Sequence, residues 1–382
     1  MKVQKAELFH VDLPFRFSFK HAAAERTASD SIFVKFTLAD GTTGWGEGLP
    51  RPYVTGETIA SSLEALRKTL IPLVLDQDLK TSQDVINAVN QIHGVSPNVE
   101  LDGKIYFGAA RCALELALLD AASRMLKVSV GQWLGPIGNH KSYATAVIPE
   151  ISPGKLLPLL WLVKLIGFKA VKVKVGTARD EESLKMVRKI LGPKIPLIVD
   201  ANGAWQSDET IENLNHWKKF NITLVEQPVA PRDFAGMRRV REATGLDIMA
   251  DESLRSMQDA EGLIRSSACT HFHIRLSKCG GLFPSWKILK LARAAGIRCQ
   301  LGCQVGESSL LAAAGRSFAG CAGGDIDFYE GGYGRLLLQK DVAEPAVKLG
   351  FRGAVSESRR ENLLGLGVDV NEALLKIYAR PT

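Results

Sequence analysis

The feature that most restricts the fold of this chain is a rhythm that begins near Ser142. Short, nearly continuous apolar runs recur at 144–147, 170–175, 197–199, 222–225, 247–250, 272–276 and 299–301. Amphipathic helical patterns such as 181–191, 207–219 and 283–295 separate them. Buried strands alternating with helices imply parallel βαβ units. An eighth strand is expected at 325–329. No Gly-rich dinucleotide fingerprint follows any run, so a closed barrel is favoured over a doubly wound sheet.

A barrel of ~250 residues does not use up a chain of 382. The remainder has a different grain. Residues 3–13 and 31–38 are rich in β-branched and aromatic residues, with a turn at Ala39-Asp40-Gly41, and helical patterns follow at 57–73, 82–92 and 108–125. Strands first and helices afterwards point to an α+β unit. The expected division is an α+β capping domain at 1–135, a barrel at 136–345, and a segment at 346–382 that returns to the cap.

Composition excludes several classes. The net charge of +7 is mild, with no Lys/Arg block, so nucleic-acid binding is not expected. The six cysteines form no CxxC pair, which favours a reduced, cytoplasmic protein. The most apolar stretch, 156–168, contains Pro158 and Lys164 and is too short to span a bilayer, so no membrane association is expected. Its part 156–166 is apolar nearly all round, and a homo-oligomer that buries this helix is the expectation.

Chemistry gathers at the predicted strand ends. Lys172 and Lys174 are two apart and share one face of a strand; inside a barrel that face is interior, where a lysine must be paired or used. The next strands end in Asp200-Ala-Asn202, Glu226-Gln-Pro228 and Asp251-Glu252-Ser253. Lys174, Asp200, Glu226 and Asp251 follow one another at intervals of 26, 26 and 25 residues. One βα unit per step brings all four to the C-terminal rim, where barrels keep their active sites. Three carboxylates converging there repel one another unless a cation lies among them, and oxygen-only ligands favour Mg²⁺ or Mn²⁺. Each acid taken singly could merely cap the next helix; the set in register carries the signal.

This ordered set resembles the enolase superfamily, in its muconate lactonizing enzyme branch. Gly108-Ala-Ala-Arg-Cys-Ala-Leu-Glu115, Lys278-Cys-Gly-Gly281 and Gly365-Leu-Gly-Val-Asp369 extend the resemblance over nearly the whole chain. It implies an α/β fold, a modified TIM barrel of (β/α)₇β form under an α+β cap. By resemblance Asp200, Glu226 and Asp251 are metal ligands, Lys174 is the base on one face of a small carboxylate substrate, and Lys172 stands beside it. The reaction implied is abstraction of an α-proton to a stabilised enolate. The leading form is an isomerase: a racemase or epimerase of a dipeptide or N-acyl amino acid, or a cycloisomerase. A one-base lyase and a non-catalytic binding protein are the alternatives.

The chain departs from the family where the sixth strand ends. The usual Asn-Ile-Lys, whose lysine is the second base, is replaced by His273-Ile274-Arg275. Arginine stays protonated, so Arg275 is better suited to binding negative charge. Lys278 could serve as the base instead, or be a solvated loop lysine. No histidine ends strand seven, which weakens a mandelate-racemase reading. Asn202, Glu252, His273 and Glu307 are candidate substrate contacts; His273 could be simply hydrogen-bonded, and Glu307 could simply begin a helix. Asp325 and Asp327 resemble a substrate-ammonium pair, although Tyr329-Glu330-Gly331 could occupy the same place. Two cap loops, 15–30 with Arg16, Lys20, His21 and Arg26, and 49–57 with Arg51 and Tyr53, are expected over the barrel mouth, where their charge would suit an anionic substrate or simply be solvated.

Overall fold

The computed structural model describes residues 1–21, 24–97, 105–138, 141–355 and 363–381, with the side chains of 19–21, 24 and 25 outside that description. Alternation along the first segment buries Val11, Leu13 and Phe15 on one face of a strand. β1 (Val3–His21) pairs antiparallel with β2 (Ala24–Leu38), with register shifts between Val3 and Lys5 and between Pro14 and Phe19. The expected loop at 15–30 is therefore, over its described residues 15–21 and 24–30, a continuation of this hairpin. Its β-branched and aromatic flanks carry the ladder past Pro14 through an irregularity. The side chains of Lys20 and His21 lie outside the described residues.

β3 (Thr43–Gly48) completes the cap sheet in a way that explains its composition. Gly44, Gly46 and Gly48 fall on one face, against the helix Gly108–Leu126. A Cβ at Gly46 would lie 2.0 Å from the Ala113 carbonyl oxygen, and one at Gly48 2.0 Å from that of Ala109. Alanines at 109, 113, 117 and 121 recur every fourth residue and form the matching stripe. Strand and helix backbones thus touch directly, which only glycine on the strand allows.

The barrel strands are β4 (Ala146–Ile148), β5 (Val171–Lys174), β6 (Leu197–Asp200), β7 (Leu224–Glu226), β8 (Asp247–Ala250), β9 (His271–Arg275), β10 (Arg298–Gly302) and β11 (Phe328–Tyr329). All are parallel, in sequence order. Thr145 N donates to Tyr329 O at 2.8 Å and closes the ring. Each crossover carries helix, as parallel neighbours require. The crossover helix Asp180–Leu191 shows why: Leu184, Val187 and Ile190 face inward, with acids in its first turn and Arg188 and Lys189 in its last.

Inside the barrel the strands stack two layers. Ile198, Leu224 and Met249 form an apolar floor with Phe328 packed against it. Two residues beyond Ile198, Leu224 and Met249 stand Asp200, Glu226 and Asp251, on the same side at the C-terminal ends of β6, β7 and β8. The last strand starts at Phe328, not at 325. β12 (Ala343–Glu344) pairs with β13 (Asp369–Val370), and β14 (Ala379–Arg380) joins β1, so the tail returns to the cap sheet. Among the described residues no helix is long and apolar enough to cross a membrane.

Candidate active site

Strand register builds the centre of the site. Lys174, Asp200 and Glu226 are successive Cα partners across β5, β6 and β7, and Asp251 follows the end of β8. All three carboxylates are fully buried. Lys174 Nζ donates to Asp200 Oδ2 at 2.5 Å and to Asn202 Oδ1 at 2.8 Å. Asn202 Nδ2 in turn donates to Glu252 Oε1 at 3.1 Å. Lys172 lies one layer deeper, donating to Glu226 Oε2 at 3.1 Å and Glu330 Oε2 at 3.0 Å. The side chain of Lys172 is 2% exposed and that of Lys174 13%, so Lys174 is the amine at the open rim.

The other side of the cluster is equally charged. Arg275 donates to Asp251 Oδ2, and through Nη1 to Gln304 Oε1 at 3.1 Å. Lys278 corrects the expectation of a solvated lysine or a second base. The chain turns at β9 into a one-turn helix, Leu276–Cys279, that sends its side chain back beneath Asp251. Fully buried, its Nζ donates to Asp251 Oδ1 at 2.7 Å, Asp251 O at 2.6 Å and His273 O at 2.8 Å. Three N–H groups meet three acceptors, which leaves none for substrate. Two glycines permit this docking. A Cβ at Gly108 would lie 2.2 Å from Lys278 O, and one at Gly281 2.7 Å from the Glu115 carboxyl. The Gly108–Glu115 and Lys278–Gly281 motifs therefore meet where cap touches barrel.

Burial and neighbouring charge set the protonation of the cluster. Burial opposes the Lys172 ammonium, but Glu226, Glu330 and Asp200 overcome it and hold its pKa well above the lysine range. For Asp251, burial is outweighed by Arg275, Lys278 and His273, which keep the carboxyl well below its usual range. Burial also raises Asp200, yet Lys174 and Lys172 bring it down. Glu226 goes the other way: burial, then Asp200, Asp251 and Glu330, push it well up despite Lys172. Glu252 rises to about 7, through burial and then Asp251. His273 is driven well below 6.5 by burial and is neutral.

These residues fit a divalent cation. Three rigid carboxylates converge at strand ends, and their crowding pushes the central one, Glu226, toward its protonated form, which a bound cation would reverse. Glu226, Asp251 and His273 each place a possible ligand atom within 4.8 Å of the others. Glu252 Oε2, Arg275 Nε and Gln304 Nε2 are buried around Asp251 with no protein partner, as at a site that takes a polar ligand.

Other expected contacts divide into two groups. Glu307, pushed to about 8 by burial, accepts from Gln304 N at 2.6 Å and so shapes the turn that presents Gln304 to Arg275. Arg26 pairs with Asp30 and lies over the Tyr53 ring, 5.8 Å from its centroid. Fully buried Arg51 joins this group to the rim, donating to Asp30 Oδ1 at 3.2 Å and Val305 O at 2.9 Å. Asp325 and Asp327 are not at the site, which corrects their assignment. They sit at the opposite, N-terminal end of the barrel, paired with Arg293 at 3.1 Å and Arg298 at 2.7 Å. Because β11 starts late, the residue that follows its C-terminal end is Glu330, bound to Lys172 and Gln300. Gln300 and Gln304 carried no motif; the one available signal was that Gln300 lies two residues before Gly302 on an inward face.

Comparison with known proteins agrees with this geometry. Residues 4–135 match the family Mandelate racemase / muconate lactonizing enzyme, N-terminal domain, and residues 161–374 match Enolase C-terminal domain-like. The chain belongs to the enolase superfamily. Within it, the chain falls in the mandelate racemase and muconate lactonizing enzyme family, and it is an enzyme of the isomerase type. It is 30% identical over 382 residues to an N-succinyl-L-Arg/Lys racemase of Bacillus cereus, covering 98% of this chain and 97% of the relative. A hydrophobic dipeptide epimerase of Enterococcus faecalis is 29% identical over 317 residues, 81% of this chain and 84% of the relative. Among solved structures, the Bacillus cereus N-succinyl Arg/Lys racemase superposes with a TM-score of 0.86 at 29% identity, covering 99% and 98% of the two chains. A 2-chloromuconate cycloisomerase from Rhodococcus opacus gives 0.88 at 26% identity, covering 100% of each.

Proposed function

We propose that this enzyme is a Mg²⁺-dependent racemase or epimerase that removes the α-proton of an N-acylated amino acid or dipeptide, with Lys174 as base. The observation that carries the proposal is Lys174 itself: the rim amine, held by Asp200 and Asn202 beside three buried carboxylates. Asp200, Glu226 and Asp251 would hold the cation, with Mn²⁺ as an alternative ion. The bound cation would offset the negative charge that builds on the substrate carboxylate. Lys172, locked between Glu226 and Glu330, keeps its proton and adds positive potential beneath the substrate. Asn202 fixes the Lys174 amine, and Glu252 fixes Asn202. Arg26 and Tyr53, joined to the rim through Arg51, are the proposed contacts for the distal acyl or side-chain group.

Arg275 supports a second reading. Guanidinium stands where the superfamily pattern has a second amine, and burial there is outweighed by Asp251, Glu252 and Glu226, which raise its pKa further. That favours one-base chemistry, a cycloisomerisation or an elimination. Separate L- and D-isomers of N-succinyl amino acids and dipeptides, incubated with Mg²⁺ in D₂O and followed by proton NMR, decide between them. The racemase reading expects α-proton exchange and interconversion of both isomers, with the proton on the face opposite Lys174 carried by Arg275, which ends β9 across the barrel. Exchange or elimination from one isomer alone would replace the racemase reading with the one-base reading, and no exchange from either would count against both.

The proposed domain limits are 1–135, 136–345 and 346–382. A homo-oligomer belongs to the same reading, because the helix Pro153–Ile166 exposes Leu157, Trp161, Leu162 and Leu165 together. Light scattering should give a mass of two or more chains; a monomer would remove this element. A cytoplasmic location is proposed from six free cysteines, four of them buried. Recovery from the periplasm on osmotic shock would contradict it.

A further inference from the structure

We propose that His273 is a positioning residue for Glu226, held as the neutral Nδ1–H tautomer by a hydrogen-bond relay that begins at Glu330. The proposal rests on the reading of Glu226 as a metal ligand. Its elements are four fully or nearly buried side chains: Glu330 just past β11, Gln300 on β10, His273 on β9 and, across β8, Glu226 on β7. Gln300 and His273 are Cα partners across β10 and β9. Gln300 Nε2 lies 3.0 Å from Glu330 Oε1 and 3.1 Å from His273 Nε2. His273 Nδ1 lies 2.9 Å from Glu226 Oε1.

Chemistry orders the protons along this path. Glu330 is bound to the Lys172 ammonium and is an acceptor only, so the Gln300 amide must turn its NH₂ group toward it. The reverse orientation would set two oxygens 3.0 Å apart and is repulsive. The same NH₂ has a second hydrogen, and His273 Nε2 is the acceptor in reach. A ring nitrogen that accepts cannot carry a proton, so the contact with the Gln300 NH₂ by itself leaves the imidazole one proton, on Nδ1. From there it points at Glu226. Gln300 Oε1 is left without a protein partner in this orientation, a cost that the charge-assisted bond to the Glu330 carboxylate offsets.

The ring cannot leave this position by sliding toward β10. A Cβ at Gly302 would lie 1.7 Å from His273 Nε2, so glycine there is the space the imidazole occupies. Two consequences follow for the site. Glu226 Oε1 is fixed by a neutral donor, which orients the carboxylate without adding charge. Both ring nitrogens are used, one by its own proton and one by Gln300, so His273 offers no lone pair to a cation although it stands within ligand distance. The cluster of Glu226, Asp251 and His273 therefore presents oxygen alone, which selects a hard ion.

The test uses the full chain labelled with ¹⁵N-histidine and dialysed against chelator. Long-range ¹H–¹⁵N correlation reads the tautomer, and contacts between the ring Cε1–H and the Gly302 α-protons assign the signals without any variant. A protonated Nδ1 with a bare Nε2 is expected. The Nε2–H tautomer, or protons on both nitrogens, would overturn the relay. Gln300→Leu should lose this preference, and a tautomer unchanged in it would equally overturn the relay. By calorimetry, His273→Leu should bind Mg²⁺ ~10- to 100-fold more weakly than wild type; unchanged affinity would overturn the positioning role. Wild-type protein with the expected tautomer but no Mg²⁺ binding would instead overturn the metal reading of Glu226, with the relay standing.

Discussion

Lys174→Ala should lower α-proton exchange by a factor of ~10² to 10⁴, the usual contribution of a positioned general base. The loss should fall on turnover, because Lys174 is the amine at the rim while Lys172 is spent on Glu226 and Glu330. Fold and Mg²⁺ affinity should change little. Asp200 keeps an ammonium neighbour in Lys172, 3.4 Å away, after the substitution. Lys174→Arg is the sharper companion: it retains the charge and removes the basicity, so it should be as inactive as the alanine variant. Exchange within tenfold of wild type in either variant, measured by proton NMR in D₂O, would remove Lys174 from the base role.

Chelation should abolish exchange by a factor of ~10³ or more, with recovery on adding Mg²⁺, given that a Lewis acid supplies several kcal/mol of charge stabilisation. The chelated protein should nevertheless remain folded. Lys172, Lys174, Arg275 and Lys278 already pair with the three carboxylates and carry much of the charge that a cation would carry. Saturating the site at ~100 times the dissociation constant should add ~2.7 kcal/mol of stability, readable as a rise in thermal midpoint. Glu226→Gln should lose most of that rise, since Glu226 stands between Asp200 and Asp251 and an amide there removes one of three anionic ligands. Full activity after exhaustive chelation would refute the metal-dependent mechanism.

Arg275 and Lys278 hold one carboxylate between two cations. Both lie against Asp251, one on each oxygen, so the acid is clamped from two sides. A guanidinium engaged with Asp251 and Gln304 is a poor proton acceptor but a good partner for developing negative charge. The separate-isomer exchange experiment therefore tests this substitution directly.

The sequence alone determined the barrel and the row of Lys174, Asp200, Glu226 and Asp251. Both rest on local periodicity. Alternation within a strand selects the inward face, and a near-constant βα length repeats each strand end at one height. The tertiary structure alone decided the rest, because it depends on where a strand starts and what lies across from it. A start at Phe328 put Asp325 and Asp327 at the wrong end and brought Glu330 to the site. A one-turn helix after β9 swung Lys278 inward, and nothing in Ser277-Lys278-Cys279 announces that turn. Pairing of β10 with β9 placed Gln300 beside His273, and the bare Gly302 made room for the ring. The hairpin beyond Pro14 likewise persisted because the partner strand was there to receive it. Local spacing fixes which side chains face inward; only strand register and packing decide which of them touch.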